Sequence, residues 1–393
     1  MSAFRSDIVL VYDPRFSGGT AAAMLADAQA FHAAGATVGL LPVTSGFFAG
    51  AEDIPNAAVA DLAGLSGFDV LAPGTAVAAG VVFFHHPLAF FHGVAETADI
   101  LADTSVLVAH HPPFRGDGSL EYDPVTTTRI IKKAFGTSPM WAPVSGVIRK
   151  HLRSFLPFVR LTCSDWVNTF DAGHWTSRRQ VFDQAVAIVG RHSREDPLKW
   201  PDRAADVMAS VAPPGPGWAT RVMGCPVQEL KAGGVDLSSW DIVPFNGEPV
   251  DRFLDSLDVF SYFHSDRWVE AFGRTVLEAM LMERPCVLDQ RLRETFGPLA
   301  QYASPAQVPD LLKALRYDPA GTRRHCSEIR EIVLGRYTSA AVPERLQSLR
   351  SDPGTSMRGG PVQASPFVTL RKLAGLARRE RCAARRARKV EPE

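Results

Sequence analysis

Two glutamates lie eight positions apart in EAFGRTVLEAM, residues 270–280, with a glycine and an arginine between them. The apolar run LDVFSYF precedes this stretch, and a second run, PCVLD, follows it. On one helix, side chains eight positions apart differ in direction by only ~80°, at ~100° per residue. We favour a different arrangement, in which Glu270 lies in a loop and the helix begins near Gly273. Glu278 then lies about one turn into that helix.

The start of this predicted helix suits a negatively charged ligand. The first backbone N–H groups of a helix lack partners within it, and the helix dipole adds positive potential there. The residues concerned are Phe272, Gly273, Arg274 and Thr275. Carboxylates accept hydrogen bonds from pairs of vicinal hydroxyls, so the two glutamates suit hydroxyl-bearing groups on either side of an anion. The pattern predicts a sugar nucleotide, in which a diphosphate joins a ribose to a hexose.

Two cations follow another apolar run. Arg191 comes directly after AVAIVG, and Lys199 lies eight positions later in a polar loop that contains proline. Arginine offers a planar fork and lysine a mobile point charge, and both suit phosphate groups. The alternative is a solvated loop in which these cations pair with Glu195 and Asp196.

The first turn of the chain is another candidate for phosphate binding. Gly18 and Gly19 follow the apolar run DIVLVY and precede a helical pattern, so their N–H groups can approach a phosphate at a helix N-terminus. The dinucleotide fingerprint G-x-G-x-x-G is absent, since alanines occupy positions 21–23. This argues against an oxidoreductase. A plain tight turn explains the two glycines equally well.

Two histidine pairs end apolar runs. His85 and His86 follow VVFF, and His110 and His111 follow VLVA. At the carboxyl end of a parallel strand, at least one member of each pair is expected to face a ligand cleft. Capping by backbone hydrogen bonds is the competing interpretation for both pairs and is preferred for the first. No carboxylate stands at ligand spacing, so no metal is expected.

Alternating strands and helices have to position these residues. Short apolar runs alternate with helical patterns in both halves of the chain, which is typical of parallel sheets covered on both faces. The alternation stops around residues 161–180 and then restarts. We therefore predict two doubly wound α/β domains, 1–170 and 171–350, that face each other across a cleft, with ligands outside the carboxyl ends of the strands. The division allows for the last helix of the second domain packing back on the first. Residues 351–393 are predicted to be a Gly/Pro/Ser-rich linker and a basic tail.

The composition excludes several classes of protein. Lys plus Arg and Asp plus Glu each number 42 in 393 residues. Nine of the basic residues follow position 366, against three glutamates, so the body is mildly acidic, unlike a nucleic-acid-binding protein. The five cysteines are scattered, which favours a reducing compartment over a zinc site or disulfide framework. Neither a signal peptide nor an apolar run of ~18 residues is found, and we expect a cytoplasmic protein.

The combination of these motifs resembles the retaining GT-B glycosyltransferases, in particular glycosyltransferase family 4. The motifs are LDVFSYF with EAFGRTVLEAM, SGGT in the first turn, and VGR with Lys199 in the second half, so the resemblance spans residues 7–345. It implies two Rossmann-like domains and a metal-independent hexosyltransferase without a cofactor. The chain departs from the family pattern in three places, which are Trp200 in place of Gly, residues 283–285 in place of Gly-x-Pro, and DQRLRETFG in place of Gly-Gly.

The resemblance also implies a role for each matching residue. Glu278 corresponds to the residue that binds ribose hydroxyls, and Glu270 to the one at the donor hexose. Arg191 and Lys199 correspond to the pair that binds the diphosphate. The remaining matches are Gly18 and Gly19 in the first turn and His110 or His111 at the sugar.

The expected reaction is the transfer of a hexosyl group, with retention, from a nucleoside diphosphate sugar to a glycan or glycolipid acceptor. The expected setting is cell-envelope or polysaccharide synthesis. The alternatives are a non-catalytic sugar-nucleotide-binding protein and another GT-B enzyme, either an inverting transferase or a phosphorylase. No nucleic-acid partner is expected. The basic tail is interpreted either as a solvated or disordered extension or as a peripheral contact with the inner face of a membrane.

Overall fold

The computed structural model describes residues 3–212 and 215–387, which form two compact units. The first unit comprises the chain up to Phe170 together with the segment from Ser339 onward, and the second is Asp171–Thr338. Segment 339–350, which the sequence assigns to the second domain with a last helix that packs back on the first, belongs to the first unit. The physical reason is that Arg345 donates to the Val167 carbonyl at 2.5 Å and to the Thr169 hydroxyl at 2.6 Å.

The first unit is built on a six-stranded parallel sheet. Its strands are β1 (Phe4–Tyr12), β2 (Val38–Pro42), β3 (Phe68–Val70), β4 (Val77–His85), β5 (Ile100–Ala109) and β6 (Met140–Pro143). The spatial order is β3-β2-β1-β4-β5-β6. Residues 8–11 of β1 are fully buried, as expected for a strand covered on both faces. The chain order reverses between β1 and β4, so the residues that follow these strands lie at a topological switch point.

Helices flank this sheet. They are α1 (Gly18–Ala33), α2 (Ala57–Ala63), α3 (Pro87–Phe91), α4 (Pro124–Phe135) and α5 (Gly146–Arg153). Their N-terminal caps come from short polar side chains in three cases, since Asn56, Asp123 and Ser145 each accept a backbone N–H of the first turn.

The second unit repeats the architecture. Its strands are β7 (Ala187–His192), β8 (Trp218–Met223), β9 (Trp240–Val243), β10 (Val259–Tyr262), β11 (Cys286–Asp289) and β12 (Gln301–Ala303). Its helices are α6 (Ala204–Val211), α7 (Val227–Ala232), α8 (Val250–Ser256), α9 (Arg274–Leu281), α10 (Arg293–Phe296), α11 (Val308–Tyr317) and α12 (Pro319–Tyr337). The order β12-β11-β10-β7-β8-β9 puts the switch point between β7 and β10. Both units are therefore Rossmann-like, which confirms the predicted fold class.

The C-terminal segment contains α13 (Val342–Arg350) and α14 (Pro366–Ala387). Between them, residues 352–365, here named the strap, are bound to the first unit instead of forming a free linker. Leu161 and Thr355 exchange backbone hydrogen bonds of 2.9 and 2.7 Å. The interpretation of the tail as a disordered extension does not hold for 366–387, because Thr369 and Leu376 of α14 are buried. Across the described ranges, no helix combines the length and hydropathy of a membrane-spanning segment.

Candidate active site

The switch point of the second sheet gathers several of the predicted residues. β7 and β10 are parallel neighbours, so their carboxyl ends, at His192 and Tyr262, open on the same edge of the sheet. The predicted residues found at this edge are Arg191, Lys199, Glu270 and Glu278.

Glu270 lies in the loop between β10 and α9 and is the most heavily hydrogen-bonded carboxylate of the site. Its Oε2 accepts from Lys199 Nζ at 2.6 Å, from the Tyr262 hydroxyl at 2.7 Å and from Trp268 Nε1 at 3.3 Å. Burial opposes its ionisation, but the Lys199 charge and these hydrogen bonds outweigh burial and lower the pKa of Glu270 to about 2. The carboxylate is therefore ionised at neutral pH.

Lys199 is positioned by a short 3-10 turn, residues 197–199. Asp196 starts the turn by accepting the Leu198 N–H at 2.9 Å. The ammonium group lies 4.3 Å from the centre of the Trp268 ring and is 12% exposed as a side chain. A cation held between an aromatic face and a carboxylate is fixed in place yet close enough to the surface to meet an anionic ligand.

Arg191 lies at the predicted strand end and contacts backbone and aromatic groups, and its binding to a diphosphate stays a prediction. Its side chain is fully buried and donates to the carbonyls of Phe263 and Lys199, each at 2.5 Å. The guanidinium carbon lies 4.3 Å from the ring centres of both Trp200 and Tyr262. Burial lowers the pKa of Arg191 to about 10, so the group stays charged at neutral pH. In this conformation Arg191 faces the backbone and holds the turn that carries Lys199.

Glu278 lies on α9, one turn after its start, and pairs with the end of β7. Its Oε2 is 3.2 Å from His192 Nε2. Burial alone would raise the pKa of Glu278, but the neighbouring His192 and the Arg274 guanidinium lower it below its ordinary value. A second ionised and nearly buried carboxylate therefore lies at the same edge of the sheet as Glu270.

The helix start itself has the predicted position. Gly273 precedes α9 with a φ of +84°, a left-handed conformation that favours glycine. Phe272 packs in the core, 6.1 Å from the Tyr337 ring. Among the described residues, none hydrogen-bonds to the buried Thr275 hydroxyl. The N-terminal turn of α9 thus brings backbone N–H groups next to the loop that carries Glu270.

The first-turn glycines lie in the first unit, where α1 begins. Gly18 has a φ of +65°, and no described atom lies within 4 Å of the position that a Cβ would occupy. Both Gly18 and Gly19 are exposed. Ser17 precedes them without capping the helix through its side chain. The geometry is compatible with a phosphate at this helix N-terminus and with a plain turn.

The first histidine pair ends β4 and makes internal contacts. His86 has a φ of +72°, and its Nδ1 accepts the Leu88 N–H at 3.3 Å, which caps α3. Its ring stacks on Phe16 at 4.2 Å. His85 is buried beside the second pair. The capping interpretation therefore describes His86, although the cap is at a helix start.

The second histidine pair follows β5 at the neighbouring strand end. His110 Nε2 lies 3.3 Å from His85 Nδ1. Burial lowers the pKa of His110 to about 3 and also lowers that of His111. Both imidazoles are therefore neutral at pH 7 and act as hydrogen-bonding groups, not as cations. Within 3–212 and 215–387, no three His, Cys, Asp or Glu side chains are arranged to hold a metal ion.

Three functional candidates escaped the sequence reasoning: His192, Tyr262 and Trp268. His192 and Tyr262 are the last residues of β7 and β10, whose carboxyl ends border the switch point. The rule that ligands bind outside the carboxyl ends of strands is therefore enough to find them. Trp268 stands two positions before Glu270 in a loop, and no pattern in the sequence connects it with Lys199.

Comparisons with known proteins agree with this architecture. At the level of sequence, no protein-family model and no curated protein matches the chain. Among solved structures, Anabaena HepE in complex with UDP-glucose is similar over 87% of this chain and 98% of its own, with 14% identity and a TM-score of 0.57. A glycosyltransferase from Rickettsia africae is similar over 87% and 97%, with 11% identity and a TM-score of 0.57.

A third solved structure is WaaG, a glycosyltransferase involved in lipopolysaccharide biosynthesis. It is similar over 88% of this chain and 99% of its own, with 12% identity and a TM-score of 0.52. At these identities the likeness concerns the fold. Together with the two Rossmann-like sheets, it shows that the chain adopts the GT-B fold of these glycosyltransferases.

Proposed function

We propose that this protein is a retaining glycosyltransferase that moves a hexosyl group from a nucleoside diphosphate sugar to a glycan or glycolipid. One observation carries the proposal: Lys199, Glu270 and Glu278 surround the start of α9 at the switch point of the second sheet. A cation, a helix N-terminus and two ionised carboxylates are the groups that a sugar nucleotide requires. HepE, which shares the fold, binds ligands of this class, UDP and UDP-glucose.

Each part of the donor has a matching group. Glu278 accepts the ribose hydroxyls, and Glu270 accepts hydroxyls of the hexose. The diphosphate lies at the start of α9 and beside Lys199. A cavity of about 380 Å³ at the carboxyl ends of β8 and β9, bordered by Glu195, Cys225 and Pro244, has room for the nucleobase. The diphosphate competes with Glu270 for the Lys199 ammonium group. In the complex that group contacts both the carboxylate and a phosphate.

The bond between the anomeric carbon and the diphosphate oxygen breaks, and its electron pair goes to the diphosphate. Lys199 and the first amides of α9 stabilise this growing negative charge, and they need no reorganisation because the fold already holds them. The acceptor hydroxyl forms the new bond on the same face of the sugar. Its proton goes to the departing diphosphate oxygen, which gives retention without a separate protein base.

The acceptor and the setting follow from the same chemistry. Sugar nucleotides are made in the cytoplasm, and an acceptor in cell-envelope or polysaccharide synthesis suits an enzyme that uses them there. WaaG shares the fold and is involved in lipopolysaccharide biosynthesis, which supports an envelope acceptor.

The decisive variant is Lys199→Ala. Losing one preorganised donor at a leaving group typically costs ~3–4 kcal/mol, so we expect turnover to fall roughly a hundred- to a thousandfold. The measurement is nucleoside diphosphate release from UDP-, GDP- and ADP-sugars by the full chain. The double variant K199A/E270Q is the control for folding, because it removes both charges of the buried pair. Wild-type turnover in K199A would refute the assignment of the site.

Product analysis separates the neighbouring possibilities. NMR of the new anomeric linkage distinguishes retention from inversion, and dependence on inorganic phosphate identifies a phosphorylase. A third outcome is that the donor binds but is neither hydrolysed nor transferred to any of a panel of glycan and glycolipid acceptors. That result would identify a non-catalytic sugar-nucleotide-binding protein.

A further inference from the structure

The C-terminal segment gives the first unit a strongly basic surface. The strap and α14 as far as Arg381 include six Lys or Arg and two acidic residues, Asp352 and Glu380. The strap contacts α5 and the loop that follows it: Gln363 N donates to the Lys150 carbonyl at 3.1 Å, and Arg358 Nε donates to the Leu156 carbonyl at 2.8 Å. Residues 140–160 add three cations that are at least partly exposed, Lys150, Arg153 and Arg160, since the fourth, Arg149, is buried and paired with Asp165. The two segments are therefore in contact and together carry an excess of positive charge.

Helix α14 uses one face for packing and leaves the other exposed. Thr369 and Leu376 are buried, and Lys372 donates to the Gly118 carbonyl, so this face is occupied by the first unit. The opposite face presents Phe367 and Leu370, which are 75% and 53% exposed. At helical spacing on that same face lie three exposed residues: Arg371, Ala374 and Arg378.

Exposed apolar side chains continue on the neighbouring segments. Met357 and Val362 of the strap are 82% and 39% exposed, and Phe158, next to the Leu156 contact, is 58% exposed. A single exposed apolar side chain on a protein surface is ordinary. Here five such side chains lie on neighbouring segments that also carry an excess of positive charge. This combination is typical of a surface that binds at a membrane interface.

We propose that this face binds an anionic lipid bilayer. The cations of α14 and the strap meet lipid phosphates, while Phe367, Leu370 and Met357 enter the boundary between headgroups and acyl chains. A nucleic acid would use the cations but gives no environment for these apolar side chains, so the bilayer fits the surface better. This surface is independent of the proposed reaction and would hold the first unit at a membrane whatever the donor is.

The test is co-sedimentation of the full chain with vesicles of phosphatidylglycerol and phosphatidylcholine, and with phosphatidylcholine alone. We expect binding only to the anionic vesicles, with loss of binding at high salt. The variant R371Q/R378Q should weaken binding by roughly fivefold for each charge removed. The variant F367S/L370S should weaken it about tenfold or more without changing the net charge.

Matched changes on the second unit serve as controls. Tyr317 and Ile332 are 92% and 51% exposed, and Lys313 and Arg324 are exposed cations there. The variants Y317S/I332S and K313Q/R324Q should bind vesicles as the wild type does. Wild-type protein that stays in the supernatant, or helix variants that match these controls, would overturn the proposal. Binding to duplex or single-stranded DNA that depends on Arg371 and Arg378, without vesicle binding, would replace the bilayer with a nucleic acid.

Discussion

The Lys199–Glu270 pair holds two opposite charges together inside the site. Both side chains are nearly buried, and such pairs contribute little net stability because desolvation offsets their attraction. Tyr262 and Trp268 add two donors to the same carboxylate oxygen. The arrangement therefore makes more sense as preorganisation for an incoming anion and its hydroxyls than as a device for stability.

The depressed pKa of Glu270 makes a prediction about pH. Its pKa in the fold is about 2, against an ordinary value of 4.5, so ionised Glu270 favours the folded state. Measured against the protonated carboxyl, that contribution is complete above pH 4.5 and is lost as the pH falls through the folded pKa. The free-energy difference between wild type and Glu270→Gln should therefore be constant near neutrality and shrink between about pH 4.5 and 2.

Urea unfolding of both proteins at a series of pH values measures this difference. Comparing the two proteins cancels the titration of the other carboxylates, because the variant retains all of them. A difference that does not change down to pH 2 would show that Glu270 does not carry the depressed pKa.

Arg191 shows where reasoning from residue type meets its limit. The sequence correctly suggests a cation at the end of a strand, but it gives no sign that two carbonyls and two aromatic rings take up the guanidinium. Those partners come from residues 8 to 72 positions away, which only the adjacency of β7 and β10 brings together. Trp200, which departs from the family pattern, is one of them.

At the level of elements, the start of α9 is the feature that the sequence predicted best. The glycine marks the end of the loop, and the apolar spacing of TVLEAM marks the helix. The sequence did not indicate why that glycine is required. A Cβ at position 273 would lie 3.2 Å from the Phe296 ring. The residue that carries it would also have to keep a φ of +84°.

We therefore predict that Gly273→Ala lowers the free energy of unfolding by about 1–2 kcal/mol, the cost of a left-handed non-glycine residue. The same change should weaken donor binding, because it displaces the first turn of α9. Calorimetric titration with UDP-glucose and urea unfolding measure the two effects.

Gly335→Ala is the matched control for this substitution. Gly335 lies within α12, is exposed and has no described atom within 4 Å of its Cβ position. Alanine there should be neutral or stabilise the protein by roughly 0.5–1 kcal/mol without affecting donor binding. If Gly273→Ala behaved like this control, the conformation assigned to residue 273 would be incorrect.

At the scale of the whole molecule, continuous apolar strands were enough to predict two parallel sheets. Apolar runs such as residues 8–11 of β1 indicate that both faces of the sheet are covered, even when the order of the strands is unknown. The sequence-based division allows for the last helix packing back on the first domain, but it does not show the contacts responsible, which are the long-range partners of Arg345. The attachment of the strap to the first unit could not be predicted from its composition. Gly, Pro and Ser are common in free linkers, and they also occur in segments bound through their backbone.

The division into two units leads to a final prediction about where a donor acts. At a hundred times its dissociation constant, a ligand that binds only the folded state adds ~2.7 kcal/mol of stability. Because the carboxylates and Lys199 all lie in the second unit, hydrogen exchange should slow in residues 191–200 and 270–278 when the matching sugar nucleotide is added. Strands β2 and β3 of the first unit serve as an internal reference, since no candidate donor contact lies on them or directly after them. Protection that appears in these strands and not around α9 would place the donor away from the two glutamates, and the proposed site would have to be abandoned.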